Sequence, residues 1–141
     1  MRIVAGKLKG LSLNLPKDKN TRPLKDMARE SIFNLLTHSK KILSQLDQAN
    51  VLDLYAGTGS FGLECLSRNT SNVCFVEKNK DALEILEKNI EKSKLKDSTK
   101  IYFGDVFKIL NKKFSEKKFD IIFCDPPFKD DRLEKLLKLI L

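Results

Sequence analysis

Val51-Leu52-Asp53-Leu54-Tyr55-Ala56-Gly57-Thr58-Gly59-Ser60-Phe61-Gly62 is the stretch that decides the fold. It opens on a short apolar run, Val51–Tyr55, that reads as a buried strand. Gly57 to Gly62 then fits G-x-G-x-x-G, and a helix is predicted from about Ser60 to Arg68. Glycine suits such a turn because the chain must bend tightly and leave bare backbone for a ligand to approach. Strand, glycine turn and helix in that order signal a nucleoside-containing cofactor. Glu77 ends the next predicted strand 20 residues beyond Gly57, where a carboxylate can accept hydrogen bonds from two ribose hydroxyls. Dinucleotides and S-adenosylmethionine both use this geometry, so the turn does not choose between them.

Downstream, strands and helices alternate. Val73–Val76 is the second strand, followed from Asn79 by an amphipathic helix with Ala82, Leu83, Leu86 and Ile90 on one face. Lys100–Phe103 is the third strand, Val106–Leu110 a short helix, Ile121–Cys124 the fourth strand, and Asp131–Leu141 begins another helix. This alternation predicts parallel strands with crossover helices, an α/β doubly wound sheet. Upstream, Leu11, Leu13 and Leu15 alternate with polar residues. Together with Ile3-Val4-Ala5 and the GKLKG segment they predict an amino-terminal β-hairpin ended by Pro16. A helix is expected from about Asp26, as its N-cap, to Leu46. Residues 1–47 form a basic hairpin-and-helix unit within the same fold, and residues 48–141 the α/β domain.

The 141 residues match one domain. The formal net charge is +8, with 27 basic and 19 acidic side chains. Through Asp47 there are 10 basic and 4 acidic residues, against 17 and 15 beyond it. The excess therefore sits on the amino-terminal arm and points to an anionic partner there. Lys7, Lys9, Arg22 and Lys25 are its candidate phosphate contacts, while the lysines around Lys92–Lys100 and Lys112–Lys118 read as solvated faces. No apolar run reaches the roughly 18 residues of a membrane span, and the first residues lack a signal-peptide core. Cys65, Cys74 and Cys124 form no CxxC pair, which excludes a disulfide framework or four-ligand zinc site and predicts a cytoplasmic setting. His38 stands alone and reads as a surface or boundary residue, so no metal is expected.

Two further features carry chemistry. Asp105 follows the third strand in Phe103-Gly104-Asp105, over the same crevice. It can accept from an adenine amino group, cap the helix beginning at Val106, or both. Asp125-Pro126-Pro127-Phe128 closes the fourth strand. Two prolines fix φ and remove two backbone donors, and the residue before a proline is held extended. The result is a rigid set of acceptors beside an aromatic ring, suited to a planar amine whose base stacks on Phe128. Hydrogen bonds drawing both amine protons out of plane localise the nitrogen lone pair, ready to attack a sulfonium methyl. That chemistry favours S-adenosylmethionine. An acceptor-only carboxylate at Asp125 matches the two adjacent donors of guanine, whereas adenine sets an acceptor beside its amine.

The chain resembles the RsmD-like family of methyltransferases acting on a guanine N2 of 16S ribosomal RNA. The likeness is carried by RIVAGKLKG, TRPLKDMARESIFNLL, LDLYAGTGSFGLE, VEKN, FGD and DPPF, in that order from Arg2 to about Asp130. It implies a Rossmann-like sheet with strands 3-2-1-4 present and the carboxy-terminal strands missing, so that strand four is an edge. It implies Asp53, Ala56, Gly57, Gly59, Glu77 and Asp105 around S-adenosylmethionine. Asp125, Pro126, Pro127 and Phe128 fall at the target base, and Arg22 near both cofactor and RNA entrance. Arg29 and Glu30 read as structural pairings. The competing readings are methylation of adenine N6, a non-catalytic RNA- or cofactor-binding remnant, and a nicotinamide-dependent oxidoreductase, which gives no reason for DPPF or a basic arm.

Overall fold

A computed structural model describes residues 1–17, 23–38, 46–113, 118–127 and 132–140. Helix α1 spans Pro23–His38 and strand β1 Asn50–Leu54. Helix α2 spans Ser60–Ser67, β2 Asn72–Glu77 and α3 Lys80–Ser93. A 3-10 turn at Lys96–Ser98 leads into β3, Thr99–Phe103, followed by α4, Val106–Lys113, β4, Ile121–Cys124, and α5, Leu133–Ile140. The strands form one parallel sheet in the order β3-β2-β1-β4. Leu52 stands opposite both Cys74 and Ile122, and Phe75 opposite Ile101. β1 and β2 are central and covered on both faces, which is why they read as nearly unbroken apolar runs.

One face packs Val51, Val73 and Phe75 against Leu63, Leu86, Ile90, Phe33 and the arm's Ile3 and Leu13. The opposite face packs Leu52, Leu54 and Val76 against Val106 and Leu136. The Phe61 ring stacks on Phe123 with centroids 3.7 Å apart and meets Phe33 at 5.0 Å, tying α1, α2 and β4 together. Cys65 is buried and its thiol pKa is pushed up by desolvation, while Cys74 and Cys124 are half-buried. Among the described residues β4 pairs only with β1, so it is an edge, and Ile122 is 40% exposed.

Three sequence readings change. The hairpin is reduced to one antiparallel bridge, Arg2 with Ser12, framed by bonds from Ile3 N–H to Leu11 and from Leu13 N–H to Met1. Leu13 is buried, but Leu15 is more exposed than a core-facing residue should be. Helix α1 starts at Pro23, not near Asp26. Proline fits a first helical position, where its missing N–H has no partner to lose, so Asp26 lies inside the helix and does not cap it. The stretch predicted to carry that helix to Leu46 falls partly on residues 39–45, outside the described ones.

The arm is fastened by buried polar side chains of α2. The Val4 N–H donates to both Glu64 oxygens, at 3.0 and 3.2 Å, and Arg68 pairs with the same carboxylate at 3.3 Å. Ser67 Oγ accepts from the Leu8 N–H at 2.9 Å and donates to the Ala5 carbonyl. A buried carboxylate is tolerable only when so satisfied.

Candidate active site

The turn after β1 bends through three left-handed residues, Tyr55 at φ 57°, Gly57 at 59° and Gly59 at 84°. A bulky aromatic at positive φ is strained and persists only where its surroundings hold it. Here the holding is visible. The Ala56 N–H donates to the Val76 carbonyl and the Gly59 N–H to the Ala56 carbonyl, both at 3.0 Å.

Two carboxylates frame the turn. Glu77 lies at the end of β2, level with it. One Glu77 oxygen, Oε2, accepts from the Gly57 N–H at 2.7 Å; the other accepts from the Asn79 and Lys78 N–H groups at 2.9 and 3.1 Å. The 20-residue spacing is thus a direct hydrogen bond between the acid and the glycine turn. A carboxylate offers about four lone-pair sites, so one acceptor position is left for a ligand. Asp53 lies beneath the turn, buried, and accepts from the Gly62 N–H at 3.2 Å. It supports the turn from below through that bond.

Burial is the largest influence on Asp53 and pushes its carboxyl up to about 8; the charges of Glu77 and Asp125 add to the rise, against the pull of the Gly62 N–H. The folded protein therefore keeps a proton at neutral pH that the unfolded chain releases above 3.8. A folded pKa above the unfolded one gives stability that is complete below the unfolded value and is lost as pH rises through the folded one. Stability should fall between those limits with a slope of up to about 1.4 kcal/mol per pH unit. Urea unfolding from about pH 5 to about pH 8 checks this. Asp53→Asn should flatten the profile, and an undiminished slope in that variant contradicts the assignment.

Gly104 N–H donates to the Glu77 carbonyl at 2.9 Å, drawing the end of β3 to the end of β2. Asp105 follows it, half-buried, with its carboxylate held by Arg132 at 3.2 Å. The backbone carbonyl of Asp105, not its side chain, is bonded to the start of α4 through the Ile109 N–H. The Arg132 guanidinium also lies 4.3 Å from the Phe107 ring centroid. Leu54 stands opposite Cys124, so Asp125 emerges beside Tyr55 at the same end of the sheet, exposed and followed by Pro126 and Pro127. Phe128 and Arg22 lie outside the described residues, as do the side chains of Lys25, Arg29 and His38; Lys7 and Lys9 are exposed on the arm.

Three residues join this picture that sequence reading passed over. Glu64 anchors the arm; its signal was one acid inside the apolar LECLS segment. Asn89 is a fully buried polar residue on the buried face of α3, beside Leu86 and Ile90. Lys92 is not merely a solvated lysine, since its Nζ donates to the Ser12 carbonyl at 2.9 Å and to Asn14 Oδ1 at 3.0 Å. Among the described residues no cluster of three or more metal-ligating side chains occurs, and no helix is long and apolar enough to cross a membrane.

The solved structure of yhhF from Escherichia coli superposes with a TM-score of 0.82 at 30% identity, over 99% of this chain and 72% of that one. YlbH of Bacillus subtilis is 35% identical over 99% of this chain and 73% of its own length. Ribosomal RNA small subunit methyltransferase D of Haemophilus influenzae is 30% identical over 99% of this chain and 70% of its own. Sheet order, glycine turn and these likenesses define a Rossmann-like methyltransferase. Within that class the chain belongs to the RsmD family, described as conserved hypothetical protein 95, which it matches over residues 1–141.

Proposed function

We propose that the protein transfers a methyl group from S-adenosylmethionine to the exocyclic N2 amine of a guanine in small-subunit ribosomal RNA. The observation that carries this reading is the placement of two acidic devices at one end of the sheet: Glu77 bonded to the glycine turn, and Asp125 at the exit of the neighbouring β4. The family and the relatives named above support the RNA substrate. The basic arm, with Lys7 and Lys9 exposed, offers an anion-binding surface, its Lys7 seated at the carboxy-terminal end of α2 through the Ser67 carbonyl.

The residues present fit the cofactor. A Cβ built on Gly57 would meet nothing within 4 Å, so this glycine faces open space, whereas one on Gly59 would stand 2.3 Å from Leu86 Cδ1. Glu77 has acceptor capacity for a ribose hydroxyl, and Ala56, Gly57 and Gly59 present backbone. The free oxygen of Asp105 is an acceptor for an adenine amine. Arg22 is assigned to the cofactor and RNA entrance from sequence. When bound, the cofactor supplies a sulfonium methyl that departs to the amine and leaves a neutral thioether.

The chain's own part is positioning. Asp125 accepts from the guanine edge, Pro126 and Pro127 keep that acceptor set rigid, and Phe128 is assigned the stacking face. As the N–C bond forms, the amine nitrogen sheds one proton toward Asp125 or solvent.

The test is transfer of labelled methyl to unmodified small-subunit particles, followed by nucleoside digestion. Label in N2-methylguanosine is the expected result, and label in N6-methyladenosine or none at all overturns the reading. The two glycines separate ligand from packing roles. Gly57→Ala should cost about 1–2 kcal/mol for the left-handed backbone and weaken S-adenosylhomocysteine binding. Gly59→Ala should lose about 1–3 kcal/mol more through overpacking on buried Leu86. Thermal unfolding and titration calorimetry on both variants read the difference.

A further inference from the structure

We propose that Asn89 locks the amino-terminal arm to the glycine turn, so that RNA on the arm and cofactor in the turn each tighten the other's binding; this rests on the function proposed above. Asn89 sits on α3, fully buried, and both of its amide donors and its oxygen are engaged. Oδ1 accepts from the Asn14 N–H at 2.7 Å, while Nδ2 donates to the Asn14 carbonyl at 3.2 Å and to the Thr58 carbonyl at 2.9 Å. One side chain thus brackets both backbone groups of an arm residue and reaches the middle of the cofactor turn.

The third bond makes this more than local satisfaction of the arm. The Thr58–Gly59 peptide is held at both ends, its carbonyl by Asn89 and its N–H by the Ala56 carbonyl. The orientation of that peptide decides which backbone groups the turn shows to a ligand. The orientation of the Asn89 amide is in turn dictated by Asn14, because only one face of an amide accepts while the other donates. One turn further along α3, Lys92 grips Ser12 and Asn14 Oδ1, so the arm's second limb is seated on this helix. That limb has a single β-bridge of its own. A ligand that holds this limb in the position that aligns the Asn89 amide also holds the Thr58–Gly59 peptide, which is positive coupling by linkage. No other side chain does the same work. Aspartate has no donor for the two carbonyls, leucine leaves three part-buried backbone groups without this partner, and glutamine is one carbon too long.

The experiment measures S-adenosylhomocysteine affinity by equilibrium dialysis, with and without unmethylated small-subunit particles. The native protein should bind at least about fivefold tighter with particles present. Asn89→Ala should still bind each ligand separately, with that ratio reduced to near one. Lys92→Ala, a surface change, should reduce it partway. Should Asn89→Ala fail to fold, hydrogen exchange in the native protein decides. Particles should slow exchange in the peptide carrying Gly59 as well as in the one carrying Asn14, and an unchanged Gly59 peptide overturns the coupling. A ratio of one in the native protein, or a retained ratio in a folded Asn89→Ala, also overturns it. Absence of cofactor binding or methyl transfer in the native protein instead defeats the proposed function.

Discussion

Asp125→Ala should give a folded protein that binds S-adenosylhomocysteine normally and transfers methyl groups about 10²–10⁴-fold more slowly. Asp125 is exposed just beyond β4, so removing it leaves no buried group without a partner and should move stability by no more than about 0.5 kcal/mol. On the proposed function, its loss removes the acceptor that aligns the amine and draws its proton out of the ring plane. A further consequence separates this from general damage. The Asp125 charge is one of the causes raising Asp53, so in Asp125→Ala the Asp53 carboxyl should titrate below its native value of about 8. Asp125→Asn tests base choice. An amide can present an acceptor beside a donor, the pattern that adenine's amine edge requires, so transfer should shift from guanine toward adenine in matched RNA loops. Full activity in Asp125→Ala with native base preference would sink the assignment.

The sheet was legible because its strands are short apolar runs separated by helical periodicity. β4 was placed at Ile121–Cys124 from four consecutive residues, and β1 from five that include Asp53. The placing of Glu77 level with the glycine turn was legible too, because a fixed βαβ geometry converts a sequence spacing into proximity; its bond to the Gly57 N–H was not. The arm was not. The alternation Leu11, Leu13, Leu15 predicts a strand, yet a ladder needs a partner segment of equal length, and Met1–Ala5 meets it at one bridge only. Asp26 was misread as a cap because a carboxylate before a helical pattern is a common start signal, and the proline three residues earlier outweighed it. The roles of Glu64, Asn89 and Lys92 depend on partners 60, 75 and 80 residues away. A polar residue on an apolar helical face announces that such a partner exists without saying where it lies. Asp105 shows the same limit from the site's side. Its place at the end of β3 was legible, its ion pair with Arg132 was not.

Glu77→Ala should weaken S-adenosylhomocysteine binding by about 10²-fold while leaving kcat at saturating cofactor within a few-fold of native. The carboxylate makes three bonds to backbone N–H groups, on Gly57, Lys78 and Asn79. Hydrogen bonds to a charged acceptor are worth about 1.5–3 kcal/mol each, and the three are not additive because they share one group. Solvent reaches the Lys78 and Asn79 side of the carboxylate, so water replaces those bonds at small cost. The Gly57 bond is different, since it fixes the turn against β2 at the bare backbone proposed to meet the cofactor. Helix α3 keeps its own cap, Asn79 Oδ1 accepting from the Ala82 N–H at 3.0 Å, so the fold should survive. Glu77→Gln sharpens the test. A glutamine keeps one acceptor oxygen but must turn its amino group toward one of the backbone donors that the carboxylate now accepts. It should therefore recover only part of the lost affinity, whereas a role limited to volume would be fully restored. Calorimetry for affinity and steady-state KM against kcat separate these outcomes. A native affinity in Glu77→Ala, or an effect confined to kcat, means the carboxylate does not organise the cofactor turn.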